Sequence, residues 1–187
     1  KLKKEAIVPY STNCNSWFEV HFMKNIIAPI VESGKCPNLP LLYETFTCKE
    51  CTLKSKEDEE IQTPCVTTVV EIASGDFGHY IRHIKPKTEE LYSALFQIAA
   101  GLHAVQLYGQ LLNYDVKKEN VLYYRVESGG YWHYVVHGID FYVPNYGYLF
   151  ILNDFGVSRS MAPNFELYKN DTDKTFRLGS RYAYVRN

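Results

Sequence analysis

The chain has 187 residues, with 20 Lys and Arg against 21 Asp and Glu for a formal charge of −1; 46% of residues are hydrophobic and 22% charged. This composition, with sixteen Tyr, ten Phe and two Trp, excludes a disordered chain. The balanced charge argues against a nucleic-acid binder working through bulk charge, and no apolar run approaches the ~18–20 residues of a membrane helix. At ~100–200 residues per domain the length suits one domain, or a large domain cut short. The chain opens on Lys1, and its only methionines are Met23 and Met161. It therefore reads as a fragment, a processed product or the ordered part of something longer. Lys1 to Lys4 lead into no long apolar region, so no signal peptide is expected and the cytoplasm is the expected location.

In chain order, Ser16-Trp17-Phe18-Glu19 has the S-x-x-E form of a capping box and predicts a helix from Trp17. Trp17, Val20, Met23, Ile27 and Ile30 recur near helical spacing, and Pro29 is expected to end or kink that helix. Gly34 to Pro40 reads as a loop and Leu41 to Thr47 as a strand. Lys54 to Glu60 reads as a charged loop, and Val66 to Ile72 as a buried strand, broken at Ser74-Gly75-Asp76. A second helix is predicted after Pro86, with Thr88 as its cap and Glu89 and Glu90 in the first turn. Its apolar stripe is Leu91, Leu95, Ile98, Leu102 and Val105, ending near Tyr108-Gly109. A polar stretch, Asn113 to Asn120, follows.

Val121 to Val126 and Tyr131 to Val136 flank Ser128-Gly129-Gly130, which predicts a hairpin between them. Its aromatics Tyr123, Tyr124, Tyr131, Trp132 and Tyr134 alternate, so half are expected in the core and the rest on a surface open to a protein partner. His133 and His137 have no companion ligands and read as surface or core histidines. Leu149 to Leu152 is a short apolar strand, and the last thirty residues read as irregular. The predicted class is α+β with two unequal parts.

Five cysteines, Cys14, Cys36, Cys48, Cys51 and Cys65, lie in the first third of the chain. The odd count argues against a secreted disulfide framework. Cys48 and Cys51 form a C-x-x-C that, with Cys36 and Cys65, makes a possible four-thiolate zinc site. The alternative is reduced thiols, some of them in the core.

Two polar clusters carry chemistry. Asp115-Val116-Lys117-Lys118-Glu119-Asn120 packs a carboxylate, an ammonium and an amide into six residues after a helix. Asp154-Phe155-Gly156 follows a buried strand. Carboxylate and amide oxygens suit Mg²⁺, and phosphoryl transfer needs a metal, positive charge and an oriented hydroxyl.

The first cluster resembles the protein-kinase catalytic loop and the second its D-F-G motif. Val69 to Asp76 is similar to the kinase hinge, and the two predicted helices fall where the regulatory and large-lobe helices lie. The resemblance implies an incomplete bilobal kinase-like fold: residues 1–72 as a small-lobe portion, and 73–187 as hinge, large-lobe helix, catalytic loop, aromatic insert and part of the activation segment. The run Pro37 to Tyr43 and the insert ending at Tyr148 are similar to divergent kinase-like proteins of large nucleocytoplasmic DNA viruses, which implies host cytoplasm or virion.

The resemblance implies ATP and Mg²⁺ as cofactors and a protein Ser or Thr as acceptor. Asp115 is the implied base that orients the hydroxyl, and Lys117 the implied neutraliser of the moving phosphoryl group. Asn120 and Asp154 are the implied Mg²⁺ ligands, and Val70, Glu71 and Ile72 the implied gate and hinge for adenine. Lys4, with Lys1 and Lys3 as rivals, is the implied phosphate-binding lysine paired with Glu19; the alternative for Glu19 is a helix-cap role alone.

Asn113 and Tyr114 depart from the usual His and Arg before the catalytic aspartate, which argues against control by loop phosphorylation, although Ser158, Ser160, Thr172 and Thr175 lie in the corresponding segment. No glycine-rich loop precedes the lysine within the chain, and no A-P-E motif follows, so the 187-residue piece alone is expected to be inactive. The rival reading is a kinase-fold scaffold, such as a virion-associated interaction protein. A lipid or small-molecule kinase fits the D-x-K-x-x-N pattern less well.

Overall fold

The computed structural model describes residues 15–54 and 60–161. Lys1 to Cys14, and with them the rival lysines, lie outside these residues, as do Thr172 and Thr175. The α+β class expected from the sequence is the one observed.

The first helix runs further than its proline suggests. Helix α1 (Asn15–Phe22) passes through a wider π-type turn (Met23–Ile27) into α2 (Ala28–Glu32), with Pro29 in the first turn of α2. Proline lacks the N–H that an interior helical position needs, and the change of hydrogen-bond spacing just before it lets the chain stay helical. The buried face is Phe18, Phe22, Met23, Ile27, Ala28 and Ile30. The expected Val20 is only half-buried.

Strands β1 (Leu42–Lys54) and β2 (Glu60–Val70) form an antiparallel ribbon in which Cys48 stands opposite Cys65. The expected buried strand at 66–72 is here, but its burial is not: Thr67, Thr68 and Val69 are exposed. β-branched residues favour the extended backbone without requiring cover. Phe46 and Tyr43 of β1 are also in solvent.

After residue 74 the chain builds a three-stranded antiparallel sheet in the order β3 (Gly75–Asp76), β5 (Val121–Arg125), β8 (Tyr148–Leu152). Asp76 caps the short α3 (Phe77–His79) by accepting from His79 N–H at 2.6 Å. Tyr80, in the π-type turn that follows (Tyr80–Ile84), packs among Tyr123, Tyr148 and Phe150 with ring centroids 4.9–5.7 Å apart. One hydrophobic cluster joins Phe18, Phe22 and Ile27 to Ile98, Val121 and Phe150, so the core crosses the expected division at residue 72.

Helix α4 (Thr88–Gly109) packs on β8. Its start is capped differently from expectation, since Lys87 N–H donates to the Glu90 carboxylate at 2.7 Å and Thr88 is already inside the helix. The predicted stripe is also rotated: Ile98 and Val105 are buried, but Leu95 is 47% exposed, while Ala94, Gln97, Gly101 and Ala104 are buried. Small residues let the backbones approach. A Cβ on Gly101 would lie 2.8 Å from the Asn38 carbonyl oxygen.

Asn38, fully buried in the 34–40 loop, explains the close approach. Its amide donates to Phe150 O at 2.8 Å and to Gln97 Oε1 at 3.3 Å, and its Oδ1 accepts from Tyr134 O–H at 2.9 Å. Gln97 Oε1 also accepts from Phe150 N–H at 2.9 Å. This buried polar hub ties the loop, α4, β8 and the segment around Tyr134 together, and each buried polar atom so paired avoids the penalty of desolvation.

The expected hairpin is replaced by another. β5 pairs with β8, whereas β6 (Tyr131–Val136) pairs with β7 (Ile139–Pro144) across His137-Gly138. Both turn residues have positive φ, 50° and 77°, as a two-residue turn matching strand twist requires. Ser128-Gly129-Gly130 instead sits in the connection from β5 to β6, where Gly129 N–H donates to Asn145 O. Tyr134 and Val143 face α4; Tyr131, Val135 and Tyr142 are exposed, and His133 stacks on Tyr142 and pairs with Asp140.

Candidate active site

The polar stretch after α4 is held from three sides. Short strand β4 (Leu111–Leu112) pairs with β9 (Arg159–Ser160), which lies just beyond Asp154-Phe155-Gly156. Asn153 N–H donates to Asn120 O at 2.8 Å, tying the loop's last residue to the end of β8. Phe77 N–H donates to Lys118 O at 3.1 Å from the far side.

These ties bring four expected residues together. Asn120, only 8% exposed, uses its Nδ2 as the centre. It donates to Asp115 O at 2.9 Å, Asp115 Oδ2 at 2.9 Å and Asp154 Oδ2 at 3.1 Å. Lys117 Nζ lies 2.5 Å from Asp115 Oδ2. That hydrogen bond, and then the nearby carboxylates, raise the Lys117 pKa and keep the ammonium charged.

Asp154 sits at the left-handed φ of 64°, a conformation that Asp tolerates better than bulky residues and that clusters at functional sites. Its Oδ1 accepts from Gly156 N–H at 3.1 Å, which holds the turn. Phe155 between them is fully buried in the same cluster as Phe22 and Met23.

Glu19 joins the site as well. Its carboxyl pKa is raised, first by burial and then by the Asp154 charge, while a hydrogen bond with the Phe155 backbone opposes the shift. Glu19 thus faces the Asp154 turn, while the lysine expected to pair with it lies outside the described residues. Two carboxylates, Asp115 and Asp154, converge on the neutral Asn120 amide, with the Lys117 ammonium on Asp115 and Glu19 beside the Asp154 turn. Among the described residues this leaves an excess of negative charge and an all-oxygen donor set, which fits a hard divalent cation such as Mg²⁺.

Asn113, met in the sequence only as a departure, latches the two motifs. Its amide donates to Asp154 O at 3.0 Å while its Oδ1 accepts from Asp115 N–H at 2.9 Å. The signal for this was present in its type and spacing, since Asn readily accepts from the backbone two residues on. Tyr114 receives the Arg159 guanidinium over its ring at 5.9 Å, within cation–π range. Ser158 is fully buried, so it is not presented to a phosphorylating enzyme in this conformation.

Other expected residues lie apart from this cluster. Val70 packs at the edge of the core, while Glu71 accepts from Leu41 N–H at 3.3 Å and its carbonyl from Tyr124 O–H at 3.4 Å. The Ile72 side chain is 94% exposed. The four-thiolate zinc set is corrected. Cys36 is buried beside Asn38 and Ala100 O, with its pKa pushed up to about 11 by burial, and does not join the other three. Cys51 and Cys65 are joined as a disulfide, against the expectation of reduced thiols, with Cys48 nearby.

No family profile matches the chain. It is 32% identical over 143 residues to "Putative serine/threonine-protein kinase 019R" of Frog virus 3 (isolate Goorha), covering 75% of this chain and 17% of that protein. It is 33% identical over 155 residues to "Probable serine/threonine-protein kinase 380R" of Invertebrate iridescent virus 6, covering 78% of this chain and 28% of that protein. In sequence the chain resembles these kinase-like viral proteins. It spans less than a third of either relative's length. Among solved structures, the yeast RNA polymerase II CTD kinase complex CTDK-1 aligns to this kinase-like chain with a TM-score of 0.45 and 15% identity, over 87% of this chain and 38% of that one. No described helix of the kinase-like chain is long and apolar enough to cross a membrane.

Proposed function

We propose that the chain is catalytic machinery of a protein kinase that moves the ATP γ-phosphoryl group to Ser or Thr hydroxyls of a protein substrate. The observation that carries this reading is the convergence of Asp115 and Asp154 on the Asn120 amide, with Lys117 at 2.5 Å from Asp115. In this reading Asp115 accepts and orients the acceptor hydroxyl, and Lys117 meets the charge that develops on the moving group. Asn120 and Asp154 hold Mg²⁺, which when bound neutralises phosphate charge. Val70, Glu71 and Ile72 border the adenine, and Lys4 reaches the phosphates in partnership with Glu19. Asn113 is a positioning residue that keeps the Asp115 and Asp154 backbones in one frame.

The test is transfer of label from ATP by the full natural protein that carries this chain, with Ser, Thr and Tyr peptides as acceptors. Asp115→Asn should lower turnover by orders of magnitude, and Asp154→Ala should abolish Mg-ATP use. Unchanged turnover in either variant sinks the assignment. Label on Tyr alone sinks the Ser/Thr part and leaves the kinase reading standing.

A further inference from the structure

The β1–β2 ribbon holds a cysteine cluster that phosphoryl transfer does not use. Cys48 and Cys65 are register partners, directly across the ribbon. Successive side chains of a strand point to opposite faces, so residues three apart, such as Cys48 and Cys51, would ordinarily point away from each other. Here the register shifts between them, from Cys48 opposite Cys65 to Cys51 opposite Thr63. The extra residue on β1 is a bulge, and it falls opposite Pro64, which has no N–H to give the ladder. Its effect is that the sulfurs of Cys48, Cys51 and Cys65 all lie within 4.8 Å of one another.

A lone disulfide does not require this arrangement. Cys48 and Cys65 already face each other, and a regular ladder would bring that pair together without a bulge. What the bulge adds is a third sulfur on the same face. We infer that Cys48, Cys51 and Cys65 form a three-thiolate site for a soft divalent metal ion of the zinc type, independent of the Mg²⁺ site.

Tetrahedral thiolates at Zn–S distances of ~2.3 Å sit roughly 3.8 Å apart, inside the 4.8 Å that bounds these sulfurs, and the bonded Cys51 and Cys65 sulfurs separate to that distance once reduced. Thiolates select Zn²⁺ over hard ions such as Mg²⁺. Three sulfurs fill three of the four positions, and the fourth is open to water or a further donor. Cys36 is excluded, because its sulfur is buried against Asn38 and the Ala100 carbonyl and does not lie with the other three. The metal takes Cys51 and Cys65 as thiolates rather than as the disulfide seen here. That change adds two electrons and two protons to the S–S bond, supplied in the experiment by a phosphine reductant and water as the phosphine becomes its oxide.

The test uses the full 187-residue chain, reduced with phosphine under nitrogen and titrated with Co²⁺. The expected result is one equivalent of Co²⁺ giving the near-ultraviolet thiolate charge-transfer band and the visible bands of a tetrahedral ion, both removed by one equivalent of Zn²⁺. Cys48→Ser and Cys65→Ser should abolish the band, while Cys36→Ser and Asp154→Ala should leave it intact. No band in the reduced chain overturns the inference, as does a band that Cys36→Ser or Asp154→Ala removes. A second measurement needs no variant. Zn²⁺ should protect Cys48, Cys51 and Cys65 of the reduced chain from iodoacetamide, read by peptide mass spectrometry against a chelated control. Equal labelling in both samples overturns the site.

Discussion

The β1–β2 ribbon and the β3–β5–β8 sheet are both antiparallel and both rich in β-branched and aromatic residues, yet they behave as opposites. The ribbon leaves Phe46 and Val69 in solvent, whereas the sheet buries Val121, Tyr123, Phe150, Ile151 and Leu152. The difference lies in what covers them. Helix α4 lies on β8, the Tyr80 turn packs against β5, and the Asn38 hub bonds the Phe150 backbone from the side. Strand-forming composition therefore states that a segment is extended, and its neighbours decide whether it is core.

The largest expected effect is at the hub. Asn38→Ala should cost about 3 kcal/mol, because Tyr134 O–H and the Phe150 carbonyl are left buried without their partner. A urea melt with unchanged slope checks it, and a loss below that of a ribbon substitution would erase the contrast. Gly101→Ala should follow at about 1–3 kcal/mol, since its methyl meets the Asn38 carbonyl at 2.8 Å. In the ribbon, Val69→Thr should change stability by less than about 0.5 kcal/mol by the same melt.

A chemical probe sharpens the same contrast with a smaller effect. In reduced, metal-free protein at mildly alkaline pH, iodoacetamide should alkylate exposed Cys48 readily. Cys36, buried and with its pKa pushed up to about 11, should react only on unfolding. Early labelling of Cys36 would show that the covered region opens as easily as the ribbon.

Glu19 offers the subtlest reading. Burial and the Asp154 charge raise its pKa, so the folded state holds this proton more tightly than the unfolded chain does. Its contribution to stability is present at acid pH and is lost as pH rises from the ordinary carboxylate value through the raised one. Asp154→Asn should move the Glu19 titration part of the way down, leaving the share due to burial. Carboxyl NMR titration measures this, and an unmoved titration would mean that Glu19 and Asp154 do not share a field.

Legibility differed by kind of information. Asp115, Lys117 and Asn120 fall within six residues, so local spacing already placed them together, and Asp154 was recognisable from its own turn. Asn113 departs from the usual His, and its latch, accepting from Asp115 N–H and donating to Asp154 O, depends on a contact 41 residues away that spacing alone does not show. The aromatic hairpin was paired wrongly because two glycine turns competed. Only the pairing of β5 with β8 showed that His137-Gly138, and not Ser128-Gly129-Gly130, closes the hairpin.

By itself the sequence determined the two main helical segments, several of the strands, and which short runs carry carboxylate, amide and ammonium. Those follow from periodicity, caps and spacing, which act over a few residues. The tertiary structure decided the rest: which face of α4 is buried, that Asn38 is the buried hub, that Cys36 stands apart from the other cysteines, and that Glu19 meets Asp154. Each depends on close approach between residues tens of positions apart, and burial, desolvation and charge act across that space rather than along the chain.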